Sequence, residues 1–344
     1  MELVNVFDYE KLAQTRMAPP LWDYYQGGSD DEVTLRECRA AFERIKLRPR
    51  VLVDVSREVL DMSTSVLGVP VSMPVLIAPM ALHCMAHPEG ECATAQAAGR
   101  AGTLMIASTV ATRTIEEIAQ AASGPLWFQL YTYPSLNVAE MLVHRAEDAG
   151  YRAIVLTVDL PRLGNREKDL RNTVTIPPAP FQEANFVGIE KGGQAWVPLT
   201  WASIEWLRSI TSLPILLKGI LTEEDARLAV EHGVEGIVVT NHGGRQLDTA
   251  IPGIEALPEI VEAVAGRCEI YFDGGIRRGT DILKALALGA RAVLIGRPVL
   301  WGLAVNGADG VYSVLELLRK ELELAMALSG RPTLASIDRS LLKM

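Results

Sequence analysis

Residues 74–81 read Pro-Val-Leu-Ile-Ala-Pro-Met-Ala. The apolar run at 74–78 has the length of a buried strand, and the residues after it discriminate between two architectures. An open, doubly wound sheet that binds a dinucleotide needs a glycine-rich turn after its first strand. Ala-Pro-Met-Ala offers none. Seven more apolar runs continue the rhythm, at 103–107, 126–130, 153–157, 214–218, 236–240, 269–273 and 292–296. Helical stretches at 88–101, 114–122, 135–149, 202–210, 222–232, 254–265 and 279–288 lie between most of them, and a last one covers 309–328. Eight β-runs, most followed by a helix, predict parallel strands with right-handed crossovers. Their near-continuous apolar character fits strands covered on both faces. The fold class expected is therefore α/β, a closed (β/α)8 TIM barrel over residues 74–328.

Two segments stand outside this repeat. Residues 1–70 read as an N-terminal helical extension. Asp8 is placed to cap a helix running to about residue 15, a second helix covers 20–27, and Asp30 or Asp31 starts a third that runs through 42. Residues 160–201, after the fourth strand, form a loop far longer than an ordinary βα connection. Its prolines, glycines and charges suggest a mobile lid over the barrel mouth. The whole chain, 1–344, reads as a single domain.

Composition narrows the function. Lys and Arg total 33 against 42 Asp and Glu, a formal net charge of -9, which argues against a broad nucleic-acid footprint. Cys38, Cys84, Cys92 and Cys268 share no metal-like spacing, so no metal is expected and free thiols in a reducing, cytoplasmic compartment are the simple reading. The N-terminus is not a signal sequence, and no window resembles a membrane span.

In such barrels, chemistry sits at the C-terminal ends of the strands. The polar residues collected there include Ser108, Gln129, Tyr131, Thr157, Asp159, Lys218, His242, Arg245, Asp273 and Arg297. After strand seven comes Asp273-Gly274-Gly275-Ile276-Arg277, and after strand eight Gly296-Arg297. Glycines let backbone N–H groups approach an anion and two arginines neutralise it, so consecutive loops of this kind favour a phosphate site over plain tight turns. Lys218 ends strand five. An unpaired buried ammonium is costly, which leaves two readings: charge stabilisation beside a planar cofactor, or pairing with Asp159 or Asp273. His242 is the natural proton acceptor near neutral pH, Asp159 is placed to steady its imidazole, and Arg245 with Arg166 can clamp a carboxylate. The set suggests proton removal from a small carboxylate held between two arginines. On residue types alone, an aldolase or an isomerase is as possible as a redox enzyme.

The sequence resembles the FMN-dependent (S)-2-hydroxy acid oxidase family over residues 6–342. The resemblance is carried by Trp22-Asp23-Tyr24-Tyr25, His87-Pro88-Glu89-Gly90, Phe128-Gln129-Leu130-Tyr131, Leu163-Gly164-Asn165-Arg166-Glu167, Leu217-Lys218-Gly219, Asn241-His242-Gly243-Gly244-Arg245-Gln246 and Asp273-Gly274-Gly275-Ile276-Arg277. It implies FMN as cofactor and a small 2-hydroxy carboxylate and O2 as substrates. By the same resemblance, His242 is the base, Asp159 supports its imidazolium, and Arg166, Arg245 and Tyr24 bind the carboxylate. Tyr131 bonds near the reacting oxygen. Lys218 lies by flavin N1 and O2. Pro79, Met80, Ala81, Ser108, Gln129, Thr157 and Thr240 contact the flavin, while Asp273, Gly275, Arg277, Gly296 and Arg297 hold ribityl and phosphate. Hydride and carbanion routes both use His242.

The resemblance also bears on subtype. A match beginning at residue 6 implies no haem domain. Ala81 stands where membrane-linked mandelate dehydrogenases resemble one another in having glycine, which suggests an oxidase producing H2O2. Plant glycolate enzymes carry tryptophan where this chain has Val110, so a side chain larger than hydrogen should be admitted. L-lactate is the expected substrate, ahead of glycolate and of (S)-mandelate-type acids. A dehydrogenase or a monooxygenase of the same family is the alternative outcome. A homotetramer or homo-octamer, with no membrane or nucleic-acid partner, completes the expectation.

Overall fold

The computed structural model describes residues 3–172, 178, 180–189 and 197–343. Eight parallel strands close into a barrel: β1 (Val75–Ile77), β2 (Met105–Ser108), β3 (Leu126–Leu130), β4 (Ile154–Thr157), β5 (Ile215–Ile220), β6 (Gly236–Val239), β7 (Glu269–Asp273) and β8 (Ala292–Ile295). Each pairs with its neighbours in sequence, and β8 closes the ring on β1 with Leu294 opposite Leu76. Helices cover the outside.

Strand periodicity explains both the apolar runs and the location of the polar residues. Trp127, Val155, Leu216, Val238, Tyr271 and Leu294 pack in one cluster inside the barrel, while Phe128, Ile154, Leu156 and Leu217 belong to the cluster shared with the helices. Two residues beyond the inward-facing layer, the same side of each strand carries Gln129, Thr157, Lys218, Thr240 and Asp273. The barrel thus turns from apolar to polar near its C-terminal end. β5 departs from this regularity. Its pairing with β6 shifts register between Lys218 and Ile220, a bulge centred on Gly219.

Before the barrel come α1 (Val6–Arg16), α2 (Pro19–Gln26) and α3 (Val33–Arg44). The caps differ from expectation. Asn5, not Asp8, caps α1, accepting from the N–H groups of Phe7 and Asp8, and the Asp8 carboxylate instead receives the Val4 N–H at 3.1 Å. Glu32, in a left-handed conformation, precedes α3, and Asp30 bonds Asn165 instead. Residues 1–70 are helical only as far as Arg44. Beyond it, Lys46–Leu47 pairs with Leu342–Lys343, and Thr64–Val66 forms a hairpin with Val69–Val71. The hairpin turn takes positive φ at Leu67 and Gly68, as tight two-residue hairpins require. Val66 and Val71 pack into the inner cluster and the Leu67 N–H reaches Glu269 at the start of β7, so the hairpin stoppers the bottom of the barrel.

The final helix is also longer than its periodicity predicts. It spans Arg297–Ser329 and breaks at Asn306 and Gly307. The expected 309–328 segment is its second half. Gly302 and the break at Asn306 and Gly307 dilute the helical signal of the first half, which starts at the barrel mouth. Within the expected lid, helix Glu167–Asn172 rests on α2, with Asn172 donating to Asp23 at 3.0 Å and Lys168 paired to Glu32 at 2.8 Å. Residues 173–177, 179 and 190–196 of that lid lie outside the described residues. Among the described residues no helix is long and apolar enough to cross a membrane, and no group of three or more His, Cys, Asp or Glu could hold a metal ion.

Candidate active site

A cavity of about 630 Å³ opens at the C-terminal end of the barrel. That is the size of a site for a cofactor together with a small substrate. Pro79, Met80 and Ala81 line it after β1, Ser108 and Val110 after β2, and Tyr131 after β3. Lys218 comes from β5, Arg166, His242 and Arg245 from the loops after β4 and β6, and Tyr24 enters from α2. Asp273, Gly275, Arg277, Gly296 and Arg297 line its other end. Gln129, Thr157, Asp159 and Thr240, expected at the same site, stand one layer behind this wall.

That second layer positions the first. His242 takes φ +59, which is uncommon for a residue with a side chain, and its N–H donates to the Thr240 hydroxyl at 3.1 Å. Thr240 in turn donates to Asp273 at 3.0 Å. The imidazole Nδ1 lies 2.9 Å from Asp159 Oδ1. Burial holds the His242 pKa below the ordinary imidazole range, with Lys218 adding to burial and Asp159 opposing it. Burial alone would raise the Asp159 carboxyl, but His242 and Lys218 outweigh it and keep it below the usual range. A neutral imidazole donating Nδ1–H to a carboxylate leaves Nε2 as the proton-accepting atom. Asp159 Oδ2 is buried without a hydrogen-bond partner, so the carboxylate keeps spare capacity to stabilise added positive charge on the ring.

Lys218 has a place in both the cavity and the electrostatics of the layer behind it. Its side chain lines the cavity, and its charge helps keep Asp159 ionised.

Arg245 is half-buried and donates Nη1 to the carbonyls of Tyr24 and Gly27, with its guanidinium 5.0 Å from the Tyr24 ring centroid. Arg166 Nε donates to the Arg245 carbonyl at 3.4 Å. Burial and the neighbouring Arg166 charge push Arg245 down to about 9. Two crowded cations are relieved by a bound anion, which makes this end a seat for a carboxylate. Asp169 stands close to both. Burial raises its carboxyl, although Arg245 and Arg166 draw it down. Burial and Asp159 hold the Tyr131 phenol well above its ordinary range, so it stays protonated and able to donate.

Behind β2 to β4 runs a buried chain. Ser108 donates to Gln129 Oε1 at 3.2 Å, and Gln129 Nε2 donates to Thr157 at 3.0 Å. These bonds fix the amide orientation of Gln129 beside the cavity.

The other end of the cavity is cationic. Burial pushes Arg277 down to about 10, and burial with the Arg277 charge does the same to Arg297. Arg297 also staples the N-terminal segment to the barrel, donating to the carbonyls of Tyr25, Gly243 and Gly27 at 3.0, 3.1 and 3.1 Å. The long final helix begins at Arg297 and adds the positive end of its dipole. Gly275 takes φ +76, and a Cβ there would overlap the Cys38 carbonyl, so only glycine closes this loop.

Several wall residues lie outside the expectation from sequence: Tyr25, Leu82, Leu160, Asp169 and Glu183. Tyr25 anchors the loop after β1 by donating to the Leu82 carbonyl at 2.6 Å. Asp169 is legible in principle, since it lies three residues after Arg166 at the start of a helix. Leu160 and Glu183 carry no local signal, because only the path of the long loop brings them to the cavity.

A TIM barrel with this mouth belongs to a defined class. The family model of FMN-dependent dehydrogenases matches residues 13–344, and the chain belongs to that family, the FMN-dependent 2-hydroxy-acid oxidases and dehydrogenases. It is an FMN-dependent oxidoreductase. It is 54% identical to L-lactate oxidase of Nostoc sp., over 98% of each chain. It is 51% identical to glycolate oxidase 1 of Oryza sativa subsp. indica, over 98% of this chain and 95% of that one. Mandelate oxidase solved with (S)-2-phenylpropionate superposes with a TM-score of 0.93 at 45% identity, covering 99% of this chain and 98% of that one. The residues present fit FMN. Two half-buried arginines, Arg277 and Arg297, a helix N-terminus and the Gly275 loop suit a phosphate, and the apolar wall from Pro79 to Leu82 suits a ring.

Proposed function

We propose that the protein oxidises a short (S)-2-hydroxy acid, with L-lactate preferred, to the 2-oxo acid while O2 is reduced to H2O2. The balance is simple. The hydroxy acid loses two electrons and two protons, and O2 takes up both. The observation that carries the reading is His242 in the cavity wall beside Arg166 and Arg245, backed by Asp159 at 2.9 Å. When bound, FMN supplies the two-electron acceptor that side chains do not provide.

The chain's own residues do the rest. Arg245 and Arg166 take the substrate carboxylate, and Tyr24 closes on the same group. This fixes the 2-carbon against the base and removes the entropy of a chance encounter. His242 Nε2 accepts the proton released on oxidation, and Asp159 stabilises the resulting imidazolium. Tyr131 donates its hydroxyl hydrogen toward the substrate oxygen. Lys218 offers positive charge where negative charge develops. Pro79, Met80, Ala81, Ser108, Gln129, Thr157 and Thr240 would hold the ring region, and Asp273, Gly275, Arg277, Gly296 and Arg297 the ribityl and phosphate.

Lactate is favoured by Val110 in the cavity wall, which leaves room for a methyl group, and by the likeness to the Nostoc enzyme. A panel of glycolate, L-lactate, D-lactate, 2-hydroxyoctanoate and (S)-mandelate tests the proposal. L-lactate should give the highest kcat/KM, one H2O2 per turnover under air, and bleaching of the flavin under argon. No bleaching by any member would remove the oxidase reading. Acetate and CO2 in place of pyruvate and free H2O2 would make the protein a monooxygenase.

A further inference from the structure

A second, smaller chamber of about 40 Å³ adjoins the main cavity. Tyr131 and Leu160 line both spaces, so they form the shared wall. Val158, Pro161, Val197 and Leu199 complete the apolar side. Among the described residues no charged side chain lines the chamber, so it has nothing to hold a carboxylate. Its threonines are committed: Thr132 donates to the Val197 carbonyl at 3.2 Å, and Thr157 receives Gln129 Nε2 at 3.0 Å.

Size and polarity select the occupant. One water needs roughly 10–15 Å³ of such space together with two to four polar partners. The chamber is larger than one water site and poor in uncommitted polar groups, yet too small for a hydroxy acid. A small, uncharged, apolar molecule fits both limits, and the proposed reaction contains one.

We propose that this chamber is a holding site for dioxygen beside the reacting centre. It shares a wall with the substrate cavity, so O2 waits within one side chain of the place where it is consumed. The proposal rests on the oxidase reading. The chamber holds O2 unchanged, and reduction to H2O2 belongs to the main cavity.

Two measurements on the holoenzyme test it. Crystals pressurised with xenon, which occupies apolar cavities, should show an atom in the chamber. Leu199→Phe and Val197→Phe should abolish that peak, and Val197→Ala should strengthen it. In stopped flow, enzyme reduced with dithionite and mixed with O2 should reoxidise about tenfold more slowly in the filled variants, because the rate follows the fraction of enzyme holding its reactant. Flavin reduction by L-lactate under argon should not change. Unaltered reoxidation in a variant whose chamber is filled overturns the proposal, as does a fully bonded water in place of xenon. Reduced wild-type enzyme that fails to react with O2 overturns the oxidase reading itself, and that outcome is seen before any variant is compared. The three substitutions act independently, so a variant that does not fold leaves the others to decide.

Discussion

A Cβ added to Gly219 would lie 2.5 Å from the Cβ of Asp159 and 2.9 Å from its backbone nitrogen. Gly219 sits at the bulge of β5 with φ +120, and the bare backbone there lets the end of β4 approach. The position of Asp159, and with it the support of the proposed base His242, is thus set by a missing side chain on a different strand. Gly219→Ala should displace Asp159 and leave His242 without its partner. Small misplacements of catalytic groups cost about 10²-fold, and that loss is expected in kcat/KM with flavin absorbance retained. Unchanged turnover would separate Gly219 from the base.

The pH profile can be derived from the direction of the His242 shift. Burial lowers its pKa, so the neutral base persists to a pH below the ordinary imidazole value of about 6.5. kcat/KM should stay level from neutral pH down to that region and fall as the pH drops through it. Asp159 raises His242, so Asp159→Asn should move this limb to still lower pH and reduce the plateau by about 10²-fold. A limb displaced upward in that variant would contradict the assignment.

The arginine pair makes a separate prediction with oxalate. Hydrogen bonds to charged groups are worth about 1.5–3 kcal/mol, so Arg245→Met or Arg166→Met should weaken oxalate inhibition by roughly 10- to 100-fold. Burial and the Arg166 charge both disfavour the lone Arg245 cation, so a bound dianion relieves the pair, and raising the salt concentration should weaken oxalate inhibition of the wild type. Equal inhibition by all three proteins would remove the clamp.

Val110 lines the cavity, and under the proposed reading it sets the space beside the 2-carbon. Val110→Trp should favour glycolate over L-lactate. One methylene or methyl in an apolar pocket is worth about 1–3 kcal/mol, so the ratio of kcat/KM values should change by roughly 10-fold or more. An unchanged ratio would place the selecting residue elsewhere, with Leu160 and Tyr24 as the next candidates.

The eight strands and the identity of the mouth residues are legible in the sequence because both arise from a local period of two. Apolar residues fill the inward positions along each strand, and at the next inward position Ser108, Lys218 and Asp273 line the cavity while Gln129, Thr157 and Thr240 back it. Boundaries are less legible. The caps of α1 and α3, the hairpin at 64–71 and the first half of the final helix all answer to packing partners far away in sequence. Local pattern carries no trace of the Gly219 bulge.

By itself, then, the sequence determined the barrel, the FMN family and most of the residues that gather at its mouth. Only the tertiary structure decided how they act on one another. Asp159 meets His242 across 83 residues, and Arg166 meets Arg245 across 79. The lowered His242, the crowded arginines and the chamber behind Tyr131 depend on burial and on distances between strands. Desolvation and Coulomb energies vary with those distances, and chain closure, not residue order, sets them.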